Sequence, residues 1–233
     1  GNMAEEDGGV VFALGGSGTV SGGSFSGNSA LQGGVFRLFD SAWTVESASF
    51  TDNTATGGGA VFFADGQTPV QQGLTFANNV APYGSNSQPA SLPSYLNFTS
   101  APSGPQSGAS PFSPPAVLAL RDQYGQLVLS QLPSYAVQAS TPAAGAVLSG
   151  PTRRVFVNGQ AHFGNSTAFQ GLGLAAPLGN SYQVDFTVTV PLPTGATRVI
   201  TESLTVTLRT CRAGEVYVDN ERCELCPAGT FSD

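Results

Sequence analysis

Lysine is missing from this chain altogether: its eight basic residues are all arginines, set against 15 acidic ones for a formal net charge of −7. A surface that grips nucleic acid needs clustered cations to neutralise phosphates, so this balance argues against that partner. No apolar run reaches the roughly 18 residues of a spanning helix, which leaves no helical membrane span within these residues. Cysteine is scarce, and all three copies, Cys211, Cys223 and Cys226, sit at the end, so no disulfide framework runs through the body. Histidine occurs once, as His162, too few for a histidine-based metal cluster. The opening residues show no signal-peptide pattern.

Four asparagines, Asn2, Asn28, Asn53 and Asn79, recur at spacings of 26, 25 and 26 residues, each followed two places on by an alanine. A unit this short cannot bury a face alone and must stack on copies of itself. Aligned on Gly9, Gly34 and Gly59, the repeats place Val11 over Phe36 and Val61, Ala13 over Leu38 and Phe63, and Val20 over Val45 and Val70. Phe25, Phe50 and Phe76 form a further column. Short runs of Val, Phe, Thr and Ser broken by glycine suit strands of a few residues with tight corners. Each asparagine falls at a corner. Asn tolerates left-handed backbone, and stacked amides bond from coil to coil, so the four are read as a structural ladder rather than as ligands.

The pattern F-x-x-N-x-A-x-x-x-G-G-A/V resembles the repeats of right-handed parallel β-helix surface proteins of the pectin-lyase-like and polymorphic outer-membrane-protein kinds, over residues 1–86. With no capping segment before Gly1, the first coil would expose a strand edge and an open apolar core, so Gly1 is expected not to be the natural start.

Residues 87–114 are dominated by Ser, Pro and Gly and read as a linker or long surface loop without a core of its own, extended and stiff, with Tyr95, Leu96 and Phe98 able to pin it to a neighbour. From 115 to 210 the strand signals resume without a repeat, the strongest being YQVDFTVTV and TRVITESLTVTL joined by PLPTGA. Short strands separated by Gly, Pro and Asn signal a β-sandwich. The run AVLALRDQYGQLV resembles the opening strand and turn of immunoglobulin-like domains of the filamin and bacterial-surface type. The expected fold class is therefore all-β: coils, linker, sandwich, and a short tail over 211–233.

In that tail Cys223 and Cys226 have the C-x-x-C spacing of half a zinc site, which needs further ligands. The text C-P-A-G-T-F-S resembles extracellular disulfide-rich modules of the ephrin-receptor and tumour-necrosis-factor-receptor type. The resemblance implies a Cys211–Cys223 disulfide, with Cys226 pairing beyond Asp233, and zinc is set aside. An oxidising, extracellular setting follows from such disulfides. The sequons at Asn97 and Asn165 offer glycosylation there.

Parallel β-helix enzymes that cleave acidic polysaccharides use clustered Asp with Arg or Lys. Here Asp40 and Asp65 share a column and Asp52 sits at a corner, but Gly15 replaces the carboxylates one coil earlier, so they are expected to be solvated charges. Arg37 aligns with Phe12 and Phe62 as an outward stripe whose guanidinium covers aromatic faces, and His162 reads as a strand surface residue. No catalytic, cofactor or metal set is expected. The expectation is a non-catalytic extracellular scaffold or adhesive protein, a fragment of a larger secreted or cell-surface glycoprotein. Its partners would be other copies, other extracellular proteins or glycans. The module order resembles large surface proteins of green algae and other protists, flagellar ones included. The alternatives are the ectodomain of a membrane receptor or channel sensing ligand or force, and a polysaccharide-cleaving enzyme.

Overall fold

The computed structural model describes residues 1–84, 86–129, 134–164, 171–219 and 221–227. Among them the fold is all-β, with no helix. The chain first winds through one set of short strands three times. The first pass is β1 (Val11–Leu14), β2 (Ser17–Ser21), β3 (Ser24–Ser26) and β4 (Ser29–Gln32). The second is β5 (Phe36–Phe39), β6 (Ala42–Glu46), β7 (Ser49–Thr51) and β8 (Thr54–Gly58), and the third is β9 (Phe62–Asp65), β10 (Val70–Gln72) and β11 (Thr75–Ala77). Every pass pairs in parallel with the one before, giving sheets β1-β5-β9, β2-β6-β10, β3-β7-β11 and β4-β8.

The corners recur in register because each needs a left-handed residue at the same place. Ser47 and Asp52 adopt φ of 52° and 55° where other passes use Gly22, Gly73, Gly27 or Asn78. The ladder asparagines therefore follow the left-handed residue instead of supplying it, which corrects their expected conformation. What they supply is hydrogen bonding. Asn53 Oδ1 accepts from the backbone N–H and the Nδ2 of Asn28 at 3.0 and 2.8 Å, and Asn53 Nδ2 donates to Phe25 O and Asn79 Oδ1 at 3.0 and 2.8 Å. Asn2 joins through its N–H, which donates to Asn28 Oδ1 at 2.9 Å. Inside the coils Phe25, Phe50 and Phe76 stack at 5.2 and 5.5 Å between ring centroids, beside a Phe36–Phe62 stack at 5.2 Å.

That last pair shows a one-residue correction to the expected columns. Phe36 lies against Phe62, not Val61, Leu38 against Ala64, and Val45 against Gln71. The cause is one extra residue in β8, where Ala30↔Ala55 is followed by Gln32↔Gly58. Gly59 then aligns with Gly33 and Gly8, all three left-handed at φ of 65°, 67° and 59°. A single-residue slip exchanges the faces of a strand, so the expected places of Val61, Phe63 and Val70 each move by one, while Phe76 and Asn79 keep theirs.

The rest of the chain forms β12 (Pro93–Ser100), β13 (Val117–Asp122), β14 (Ala136–Ser140), β15 (Val147–Ser149), β16 (Arg153–Val155), β17 (Gln160–His162), β18 (Gly173–Ala175), β19 (Ser181–Pro191), β20 (Thr197–Thr207), β21 (Glu215–Val218) and β22 (Arg222–Leu225). These make antiparallel sheets β12-β13-β17 and β16-β14-β19-β20, and the pairs β15-β18 and β21-β22. The segment 87–114 corrects the linker expectation: it contributes β12 to a sheet and buries Ala90, Leu92, Leu96 and Phe112. A few well-spaced apolar residues suffice when a neighbouring core receives them. That core is continuous, running from Phe39, Phe63 and Tyr83 of the coils to Val206 and Leu208. A second core, built on Phe36, Phe50 and Phe62, fills the coils themselves.

Candidate functional site: the junction of coils and sheets

Strands β5 and β9 are buried on both faces. Phe36, Leu38, Phe62 and Ala64 point into the coils, while Phe39 and Phe63 face the later sheets and join their core. Arg37 lies on this covered face. It is 1 % exposed, which corrects the outward stripe expected for it. Its guanidinium stands 4.5 Å from the ring centroid of Phe63, Nη1 donates to Leu38 O at 3.2 Å, and Nε lies 3.5 Å from Asp7 Oδ1. Burial lowers the Arg37 pKa and raises that of Asp7, each partly offset by the attraction of the other. Tyr135, nearby, is pushed up to about 12 by burial, and Tyr83 is also raised, mainly by burial. Both phenols stay neutral, and Tyr83 donates its hydroxyl to Ser91 O at 3.1 Å.

Asp65 is likewise not the solvated charge expected, nor does it share a column with Asp40. It pairs with Phe39 across the ladder, while Asp40 sits beside Gly66. Its carboxylate is 1 % exposed and accepts from Arg198 of β20 through Nη2–Oδ2 at 2.6 Å and Nη1–Oδ1 at 3.2 Å. Arg198 Nη1 also donates to Pro93 O at 3.0 Å. One side chain thus ties the third coil, β12 and β20 together.

The turn after β13 provides the second tie. Asp122 is fully buried, and its oxygens accept from the backbone N–H groups of Tyr124, Gln126 and Ser91 at 3.0, 2.9 and 3.2 Å. Burial nevertheless raises its pKa, those bonds offsetting part of the shift. Held this way, the turn turns its side chains onto the last coil. Gln123 accepts from Gly66 N at 3.0 Å and donates to Ala64 O at 3.1 Å, and Tyr124 Oη donates to Ala64 O at 3.2 Å. Gln126 accepts from Gly84 N at 3.0 Å and donates to Pro89 O at 2.8 Å. Strand β9 is the edge of its sheet, and exposed edge groups template aggregation. The Asp-Gln-Tyr-Gly-Gln run caps that edge. Sequence reading recognised the turn but not the two glutamines, each of whose amides both accepts and donates, Gln126 donating to Asp122 Oδ2 as well.

The tail is fixed by Cys211–Cys223, with Cα atoms 5.4 Å apart. Their sulfurs lie within 4.8 Å of a Glu215 carboxylate oxygen, but disulfide sulfurs offer no thiolate and Glu215 is engaged by Arg209, so the group is no metal site. Glu215 accepts from Arg209 Nη1 and Nη2 at 2.5 and 2.9 Å. Cys226 is a free thiol in the described residues. Asn97 lies on strand β12 and not in a turn, with Oδ1 accepting from Arg121 Nε at 2.7 Å. Asn165 lies outside the described residues. His162 is exposed on β17, opposite Val117. No protein-family model, no curated protein and no solved structure matches the chain.

Proposed function

We propose that the chain is a non-catalytic extracellular scaffold: coils of a right-handed parallel β-helix locked onto an immunoglobulin-like sandwich, leading into a disulfide-rich module at a cell surface, flagellar surfaces included. The observation that supports this best is the junction. A scaffold works by holding its parts at a fixed separation, and a hinge would defeat it. Here one core runs across both parts, an ion pair on the buried Asp65 carboxylate clamps them, and a hydrogen-bonded turn closes the coil edge. A core shared in this way removes the small polar interface along which linked domains ordinarily move. The disulfide supports an oxidising compartment.

Small-angle scattering and limited proteolysis test the reading. A single rigid envelope, with residues 84–116 resistant to protease, is expected; a distribution of shapes with early cleavage in that segment would overturn it. Secretion from a eukaryotic host should give a glycan removed by an N-glycosidase and lost in Asn97→Gln.

A further inference from the structure

The sheet β16-β14-β19-β20 turns one face to the core and leaves the other open. Val184, Phe186, Val188 and Val190 of β19 are buried, so the residues between them face outward. On β20 the outward positions from Thr197 to Thr207 carry hydroxyls at all but Val199. The hydroxyls pair across the ladder, Ser181 with Thr207 at 2.7 Å and Thr187 with Thr201 at 3.3 Å. The register sets Arg153, Gln138, Thr187 and Thr201 in one row across all four strands. A cleft of 510 Å³ lies over this row, lined by Arg153, Gln138, Thr187, Thr189, Tyr135 and Pro191. That size is within the range of ligand sites, roughly 300–1,000 Å³.

Arg153 makes no ion pair and no side-chain hydrogen bond among the described residues. In a chain of net charge −7, an unpaired guanidinium beside an amide and two hydroxyls marks a place for an anion carried on a hydroxyl-rich molecule. Guanidinium binds a carboxylate through two parallel hydrogen bonds. Gln138, Thr187 and Thr189 can each donate to or accept from sugar hydroxyls, and Pro191 offers apolar surface to the C–H face of a ring. The hydroxyl rows continue along β19 and β20, each 11 residues, or about 35 Å, which gives an extended polymer a track beyond the cleft.

We infer that this face binds an acidic polysaccharide, with Arg153 holding a sugar carboxylate; the inference rests on the extracellular scaffold reading and names its partner. Asp185, one row along with Ser140 and Ser203, accepts from Ser203 Oγ at 2.7 Å and Gln183 Nε2 at 2.6 Å. It repels a carboxylate displaced by one row and so sets where the acidic sugar sits.

The test is affinity electrophoresis of the whole chain through gels containing polygalacturonate, a sulfated galactan or neutral dextran. Polygalacturonate should retard it and dextran should not. Retardation by the sulfated polymer alone would overturn the carboxylate assignment. Arg153→Gln should weaken binding by about tenfold, the scale of one charged hydrogen-bonding group, Arg153→Lys should keep part of it, and Asp185→Asn should strengthen it. Unchanged melting of each variant shows that the fold is intact. No retardation of the wild type, or equal retardation of Arg153→Gln, overturns the inference. Scattering reads the scaffold separately, so a rigid chain that binds no acidic polymer sinks this inference alone.

Discussion

The carboxylate of Asp65, 1 % exposed at the end of β9, is held by the guanidinium of Arg198, 133 residues further along the chain. The two partners are not equally buried, since the Arg198 side chain keeps 30 % exposure. Removing either therefore has different consequences. Arg198→Ala strands a buried anion, for which about 3 kcal/mol is expected. Asp65→Asn leaves a guanidinium that can turn to water and keeps a carbonyl acceptor, at about 1 kcal/mol. Denaturant titrations of both variants and the double mutant check this; the double mutant should be more stable than Arg198→Ala alone.

Asn53 lies at the centre of the ladder and is fully buried, with both amide atoms bonded twice. Asn53→Ala removes the amide that serves Phe25 O and the N–H and Nδ2 of Asn28, while Asn79 Oδ1 keeps the backbone N–H of residue 53, so a loss of about 3 kcal/mol is expected. Asn2→Ala removes an exposed amide and should change stability by less than about 0.5 kcal/mol. Equal losses at the two positions, read from thermal melts, would show that the ladder is ornamental.

The ladder and the Phe25–Phe50–Phe76 column were legible because identical residues at a fixed period can meet only their own copies. The third-coil register was not, because one glycine among Gly57, Gly58 and Gly59 is extra and the sequence does not say which. Asp65 was misplaced by that slip and also for a second reason: Arg198, its partner, carries no local sign of the pairing. Residues 87–114 misled through composition. Serine, proline and glycine describe what a segment can do alone, while Leu92, Leu96 and Phe112 are buried by what packs on them.

Gly58 tests the corrected register. Its φ is 137°, and an added Cβ would sit 2.6 Å from Tyr83 Cε1, a ring fixed in the shared core. Gly58→Ala combines a backbone conformation reserved for glycine with overpacking and should cost about 3 kcal/mol. Gly15→Ala has φ of 74° and open space around it, so only backbone strain of about 1 kcal/mol applies. Urea midpoints separate the two, and similar shifts would mean that the bulge in β8 is misassigned.

The tail provides a prediction in pH. Glu215 has its pKa lowered to about 2, first by the hydrogen bonds from Arg209 and then by the Arg212 N–H. A carboxyl depressed in the folded state binds its proton more readily when unfolded, so it contributes stability above the ordinary carboxyl value and loses it as the pH falls through the folded one. The β21-β22 hairpin should therefore stay docked from pH 7 to about 4.5 and release between there and pH 2. Amide exchange of Glu215–Val218 across that range measures it. Glu215→Gln should flatten the profile, keeping the Arg212 N–H bond but losing the charge. Reduction of Cys211–Cys223 adds an independent arm: opening a loop this short costs the tail about 3 kcal/mol in the chain-entropy account, and it should speed exchange in the hairpin at neutral pH while leaving β13 and β19 protected. A profile that releases the hairpin above pH 5 would show that Arg209 does not hold Glu215.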